Sequence, residues 1–128
     1  MDTVTLYRAI GPGQMQAILD RDCARFPARL PQQKFFFPLL TEAFANYIAQ
    51  EWNVPNSGVG YIVRFRVDAE YLQTKRIYRV GGPEHREYRI ERDEFPRFNA
   101  AIRGPIEVVG VFGDDVLGIH EPLQAVVA

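Results

Sequence analysis

Tyr61-Ile62-Val63-Arg64-Phe65-Arg66-Val67 alternates along its whole length, with Tyr61, Val63, Phe65 and Val67 on one side and Ile62, Arg64 and Arg66 on the other. That pattern is a strand with one apolar face, and it assigns the core side of a sheet. A second clear strand, Ile106-Glu107-Val108-Val109-Gly110-Val111-Phe112, begins after the Gly104-Pro105 turn. A third, Thr3-Val4-Thr5-Leu6-Tyr7-Arg8-Ala9, is rich in β-formers and stops at Gly11-Pro12-Gly13. Lys34-Phe35-Phe36-Phe37 is short, aromatic and bounded by Pro38, which predicts a brief strand, and Arg76 to Val80 and Arg86 to Ile90 read as two more around Gly81-Gly82-Pro83.

Two main helices fall in the N-terminal half. Met15, Ile18 and Leu19 lie at helical spacing within Pro12 to Asp20, with Pro12 suited to the first turn. Thr41 is an N-cap with Glu42 in the positive first turn, and Ala43, Phe44, Tyr47, Ile48 and Trp52 then form one apolar stripe expected to face the core until Asn53 to Gly58 ends the helix. Residues 21–33 have no period and contain Pro27 and Pro31, so a loop over the core is expected there. A single helical turn is expected at Asp68 to Gln73 and a short helix at Asp93 to Asn99, and the tail after Gly113 is expected to add an edge strand. Strands and helices do not alternate regularly. The fold class is therefore α+β: a single domain, 1–128, of about six or seven strands in two packed, mostly antiparallel short-stranded sheets with two main helices.

Composition agrees with one domain. Of 128 residues, 47% are hydrophobic, with nine Phe, six Tyr and one Trp, enough to bury a core without covalent staples. The lone Cys23 excludes an internal disulfide, and no His/Cys spacing is that of a zinc site, so no metal is expected. A formal charge of -1 argues against a general electrostatic grip on nucleic acid or anionic lipid. Charge is nonetheless uneven: residues 60–103 hold nine Arg and one Lys against seven acids, and thirteen of the fifteen bases in the chain are Arg, the side chain suited to bidentate binding of phosphate. The chain lacks a signal-like start and any stretch near the roughly 20 apolar residues of a membrane span. It reads as cytoplasmic as written, or as an effector domain delivered by a longer secreted parent.

Three features carry chemistry. Arg8 lies inside a strand, where an arginine needs an exposed edge or an anionic partner. The three consecutive Phe residues put a ring on each face of their strand, and a ring facing a cleft can stack on a flat ligand. Glu107 sits between Ile106 and Val108, so its carboxylate must be solvated, paired or functional. His85, His120 and Cys23 are weaker candidates, since no nucleophile motif accompanies either histidine and no helix start or histidine flanks the cysteine.

In their order, these pieces resemble the small ADP-ribosyltransferase-like domains of bacterial polymorphic toxins, across about residues 5–112. The likeness rests on Leu6-Tyr7-Arg8-Ala9 and the helix after it, Lys34-Phe35-Phe36-Phe37 with Thr41-Glu42-Ala43, the strand at Tyr61 to Val67, and Phe98-Asn99-Ala100-Ala101-Ile102-Arg103-Gly104-Pro105-Ile106-Glu107-Val108. The resemblance implies NAD as the substrate, no metal, and transfer of ADP-ribose to an unknown macromolecular or small-molecule acceptor. It implies that Arg8 grips a phosphate or ribose of NAD and that Glu107 is the catalytic carboxylate, stabilising positive charge as the glycosidic bond breaks. It also implies an aromatic clamp at Phe36, Phe37 or Tyr47, with Thr41 as the hydroxyl nearest to it, and a cognate immunity protein as a partner. Pro38-Leu39-Leu40 stands where serine-type members carry hydroxyl residues, and Pro105 stands where arginine-modifying members carry Gln or Glu. The alternative is therefore a non-catalytic binding module on the same scaffold, with a degenerate NAD site, recognising a protein or a nucleotide-like ligand.

Overall fold

The computed structural model describes residues 2–119. In chain order the elements are β1 (Thr3–Ile10), α1 (Pro12–Leu19), β2 (Phe35–Phe36), α2 (Glu42–Ile48), a π-helical turn (Ala49–Asn53) running into α3 (Val54–Ser57), and β3 (Val59–Asp68). They continue with α4 (Ala69–Leu72), β4 (Ile77–Arg79), β5 (Arg86–Tyr88), β6 (Ile90–Glu91), a 3-10 turn (Arg92–Glu94), α5 (Phe95–Ala100) and β7 (Ile102–Gly113). The fold is α+β and every strand pairing is antiparallel. His120 and most of the tail expected to form an edge strand lie outside the described residues.

The alternating stretch of the sequence becomes the central strand. β3 pairs β1 on one side and β7 on the other, with Leu6 opposite Phe65, Arg8 opposite Val63 and Arg64 opposite Glu107. The β4–β5 hairpin joins this sheet sideways through Leu39, which bridges Tyr7 and Glu87. A separate two-stranded ladder pairs β2 with β6, Phe36 opposite Ile90.

The main core lies on the sheet face of Leu6, Ile10, Tyr61, Val63, Phe65 and Val67, covered by Met15 and Ile18 of α1 and by Phe26, Phe36, Phe95 and Phe98. Rings pack edge to face there: Phe26 is 5.0 Å from Phe36 and 4.9 Å from Phe65 between centroids, contacts worth about 0.5–1.5 kcal/mol each beyond their burial. The loop at residues 21–33 does lie over this core. Asn99 holds it with two hydrogen bonds, accepting from the Phe26 N–H at 3.0 Å and donating to the Phe26 carbonyl at 2.8 Å.

The opposite face is only half exposed. Ile62 packs with Leu39, Phe44, Ala45 and Ala49 under the α2 helix. Gly60 is what lets the helix come so close, because a Cβ there would stand 2.9 Å from the Cβ atoms of both Ala49 and Asn53. Thr41 caps α2 as its sequence position predicts, accepting from the Phe44 N–H at 3.1 Å. The expected apolar stripe breaks at the π-helical turn, whose wider winding shifts the phase of the residues after it. Trp52 is thus 66% exposed instead of buried; Tyr47, which precedes that turn, is exposed on the outer side of α2.

Candidate functional site

β1 is met on its outer edge at Tyr7. The Tyr7 N–H donates to the Leu39 carbonyl at 2.9 Å and the Leu39 N–H returns to the Tyr7 carbonyl at 2.8 Å. Since backbone groups alternate in direction along an antiparallel strand, Ala9 turns its N–H and C=O to that same edge. There a cleft of about 260 Å³ opens, lined by Arg8, Ala9, Phe37, Leu39, Ile48, Trp52 and Glu87.

Arg8 belongs to the core face of its strand, alternating with buried Leu6 and Ile10. Its guanidinium carbon lies 4.3 Å from the centre of the Phe36 ring. Its two terminal nitrogens find only neutral acceptors: Nη1 donates to the Phe37 carbonyl at 3.3 Å and Nη2 to Gln14 Oε1 at 3.5 Å. Nε is sealed from solvent without a partner. Burial lowers the Arg8 pKa from its ordinary value to about 9, with the positive charge of Arg29 as the second cause. Among the described residues no carboxylate forms an ion pair with it. Among the described residues, such a guanidinium is a cation without a matching anion.

Glu87 is the carboxylate of this cleft. β5 places it opposite Tyr78, and Leu39 separates it from β1, so it stands roughly 10 Å from the β1 backbone, two interstrand spacings away. It is 8% exposed, and Arg89 Nε donates to its Oε2 at 3.0 Å. Arg89 is itself laid over the Tyr78 ring, 3.9 Å from its centre, so the pair is fixed from behind.

Glu107, expected to share a pocket with Arg8, is not among the residues that line the cleft. It lies across β3 from β1, on the face of Arg64 and Tyr7, while Arg8 lies on the face of Val63. Its side chain is 52% exposed and meets Arg64 Nη2 at 3.4 Å. Glu87 shares the face of Arg64 and Tyr7, because Leu39 pairs it with Tyr7, so what separates the two glutamates is position across the sheet: Glu107 lies beyond β3 and outside the cleft that Glu87 lines.

The other expected site residues divide between scaffold and rim. Phe36 is fully buried and supports Arg8 from the core, so it offers no ring to a ligand; Phe37, next to it, is exposed and lines the cleft. The Thr41 hydroxyl is committed to the fold, since it caps α2 and donates to the Glu84 carbonyl at 2.8 Å. Tyr47 meets the His85 ring at a tilt with centroids 4.7 Å apart and is not among the cleft residues, whereas Ile48 and Trp52 of the same helical run are. His85 is held between Tyr47 and Phe44, the latter stacked at 4.6 Å. The Cys23 carbonyl accepts from the Ile106 N–H at 2.8 Å, and its thiol is half-buried.

Sequence reasoning missed Glu87 and Trp52. Alternation in Arg86-Glu87-Tyr88 was visible, but nothing local told that Leu39 would draw this hairpin against β1. The signal for Trp52 was weaker still, because a π turn leaves no distinctive residue pattern. Among the described residues there is no group of three or more His, Cys, Asp or Glu able to hold a metal, and no helix is long and apolar enough to cross a membrane. Comparisons of the chain with protein-family models, with curated proteins and with solved structures found no match in any of the three.

Proposed function

We propose that the chain is an ADP-ribosyltransferase-like domain that holds NAD across the cleft at the β1 edge, with Glu87 in the carboxylate role expected of Glu107. The observation that supports this reading is that Arg8, a cation with no carboxylate paired to it among the described residues, and Glu87, a nearly buried carboxylate, line one cleft together with the exposed rings of Phe37 and Trp52. The Arg8 guanidinium, whose terminal nitrogens meet only neutral oxygens, suits a phosphate in charge.

NAD supplies the bond that breaks: nicotinamide leaves its ribose with the bonding pair, and a nucleophile of the acceptor takes the ribosyl carbon and gives up its proton. The chain's residues act around that bond. Arg8 holds a phosphate through its guanidinium fork and fixes the reach of the ligand. Glu87 accepts a hydrogen bond from a ribose hydroxyl and sets its negative charge where positive charge develops, in surroundings that screen it less than water does. Arg89 fixes one Glu87 oxygen and keeps the carboxylate oriented. Phe37 and Trp52 supply ring faces for the nicotinamide and exclude water from one side.

The acceptor is a macromolecule or a small molecule, and a toxin of this kind is accompanied by a cognate immunity protein. The commitment of the Thr41 hydroxyl to helix capping favours a second reading, a non-catalytic module that binds a nucleotide-like ligand in the same cleft. Titration of NAD together with an assay of nicotinamide release separates them. Release that depends on Glu87 supports the transferase; tight binding without release supports the module; absence of both overturns each.

A further inference from the structure

The β4–β5 hairpin leaves one side of β4 open. The Tyr88 N–H donates to the Pro38 carbonyl at 2.9 Å and the Arg86 carbonyl accepts from the Leu40 N–H at 3.0 Å, so these two residues of β5 turn towards Leu39. Glu87 between them turns towards β4, where it stands opposite Tyr78, and the Val80 N–H donates to the His85 carbonyl at 2.9 Å. Tyr78 and Val80 thus face inward, and Ile77 and Arg79 turn their N–H and C=O groups outward. Among the described residues those four groups have no hydrogen-bond partner. The side chains of Ile77 and Val80 are exposed beside them.

Charge at this edge is of one sign on both faces. Arg79 stands directly opposite Arg86, both exposed, and like charges so placed destabilise a strand pair. On the other face Arg76 and Arg89 lie over the Tyr78 ring, 4.7 Å and 3.9 Å from its centre. Of the four, only Arg89 forms an ion pair with a carboxylate among the described residues, through Glu87. Charges on an edge ordinarily keep other strands away. Against an acidic strand the same charges attract, and they reject a basic one.

We propose that β4 receives an extended acidic segment of a partner protein as an added antiparallel strand. The segment takes the outward N–H and C=O groups of Ile77 and Arg79, as in other strand additions. Its acids stand three residues apart, because residues at that spacing point to opposite faces of a sheet. One carboxylate then lies beside Arg79 and Arg86, the other beside Arg76, and two apolar residues between them lie beside Ile77 and Tyr78. A polynucleotide would also meet guanidiniums here, but it offers no peptide groups to the open edge and no apolar side chain to Ile77. Neither Ile77 nor Arg79 lines the cleft at β1, so this surface does not rest on the NAD reading.

The test is an NMR titration of the intact chain with the capped peptide Thr-Val-Glu-Val-Val-Glu-Val-Thr, with the same peptide carrying Lys for Glu, and with oligodeoxythymidylate. The acidic peptide is expected to shift the Ile77 and Arg79 amides and to slow their exchange with solvent, more strongly at low salt. The lysine peptide is expected to bind at least about tenfold more weakly. Arg79→Gln is expected to weaken the acidic peptide by about three- to fivefold. Ile77→Pro removes one outward N–H and no ladder bond, so it is expected to abolish binding while the hairpin stays folded. Arg79→Gln, which touches no backbone bond, decides the matter should the proline variant not fold. Unmoved Ile77 and Arg79 amides at millimolar acidic peptide, or equal binding of the lysine peptide, overturn the proposal. So does oligodeoxythymidylate binding that needs Arg79 while the peptide leaves the edge unmoved. Protection of both amides in the peptide-free protein that vanishes on dilution assigns the edge to a second copy and overturns it too.

Discussion

Tyr7 is bonded to Leu39 through both of its outward backbone groups, and one residue further along β1 the cleft opens beside Arg8. Leu39 therefore both closes the sheet towards Glu87 and sets where that closure stops. The charged ends of the site are spaced by this one residue, which belongs to no strand of its own.

The two glutamates separate cleanly by substitution. Glu87→Gln is expected to lower nicotinamide release by about a hundredfold or more with the fold intact by circular dichroism, since shape is kept and charge is lost. Glu107→Gln removes a half-exposed contact with Arg64 and is expected to leave release within about twofold and stability within about 1 kcal/mol. Equal loss at both positions, or none at Glu87, sinks the assignment.

Trp52 is a second discriminating position. It is 66% exposed, so Trp52→Ala is expected to change stability by no more than about 0.5 kcal/mol. If its ring face meets the ligand, affinity for NAD falls by about tenfold, and calorimetry on the variant measures it. Unchanged affinity removes Trp52 from the site.

Gly60→Ala tests the helix approach. The new methyl would meet two Cβ atoms at 2.9 Å, so a loss of about 1–3 kcal/mol is expected in urea unfolding. Gly13→Ala, in the first turn of α1 with nothing within 4 Å of its added Cβ, is expected to be neutral or stabilising by up to about 1 kcal/mol. A Gly60→Ala protein as stable as the parent contradicts the close packing of α2 on β3.

A pH effect is expected at the Lys75–Glu94–Tyr71 cluster. The hydrogen bond from Lys75, then that from Tyr71, holds the Glu94 carboxyl below its ordinary 4.5. A depressed folded value means stability that is fully present above the unfolded pKa and lost as pH falls through the folded one. Glu94→Gln is accordingly expected to destabilise by about 1–2 kcal/mol at pH 7, with the difference shrinking as pH drops below 4.5. Thermal melts of parent and variant from pH 7 to pH 3 measure it; a constant difference counts against the linkage.

Much of the fold was legible wherever local chemistry and tertiary packing agree. Tyr61 to Val67, Ile106 to Phe112 and the Thr41 cap all stand where their residue patterns place them. Arg8 was legible as an arginine needing an anion, since a charge alternating with Leu6 and Ile10 is expensive in any fold. That Glu87 would line the same cleft was not legible, because it gets there by a bridge between distant segments and by strand order, neither of which is encoded within reach of a window of residues. Glu107 drew attention for its apolar neighbours, yet its face of the sheet is open to water beside Arg64. Arg29 lies in an aperiodic loop, where nothing tells an arginine packed on a ring from a solvated one until the loop is folded onto Phe36.

The two bonds from Asn99 to Phe26 join positions 73 residues apart, and they fasten the loop that carries Arg29. The sheet that places Arg8 also joins distant positions, but through continuous ladders on both edges of β3, whereas the loop that carries Arg29 is held to α5 by one side chain. The loop is therefore expected to part from the core before the sheet opens. Amide exchange at Phe26 faster than at the β3 amides is the expected mark of that order.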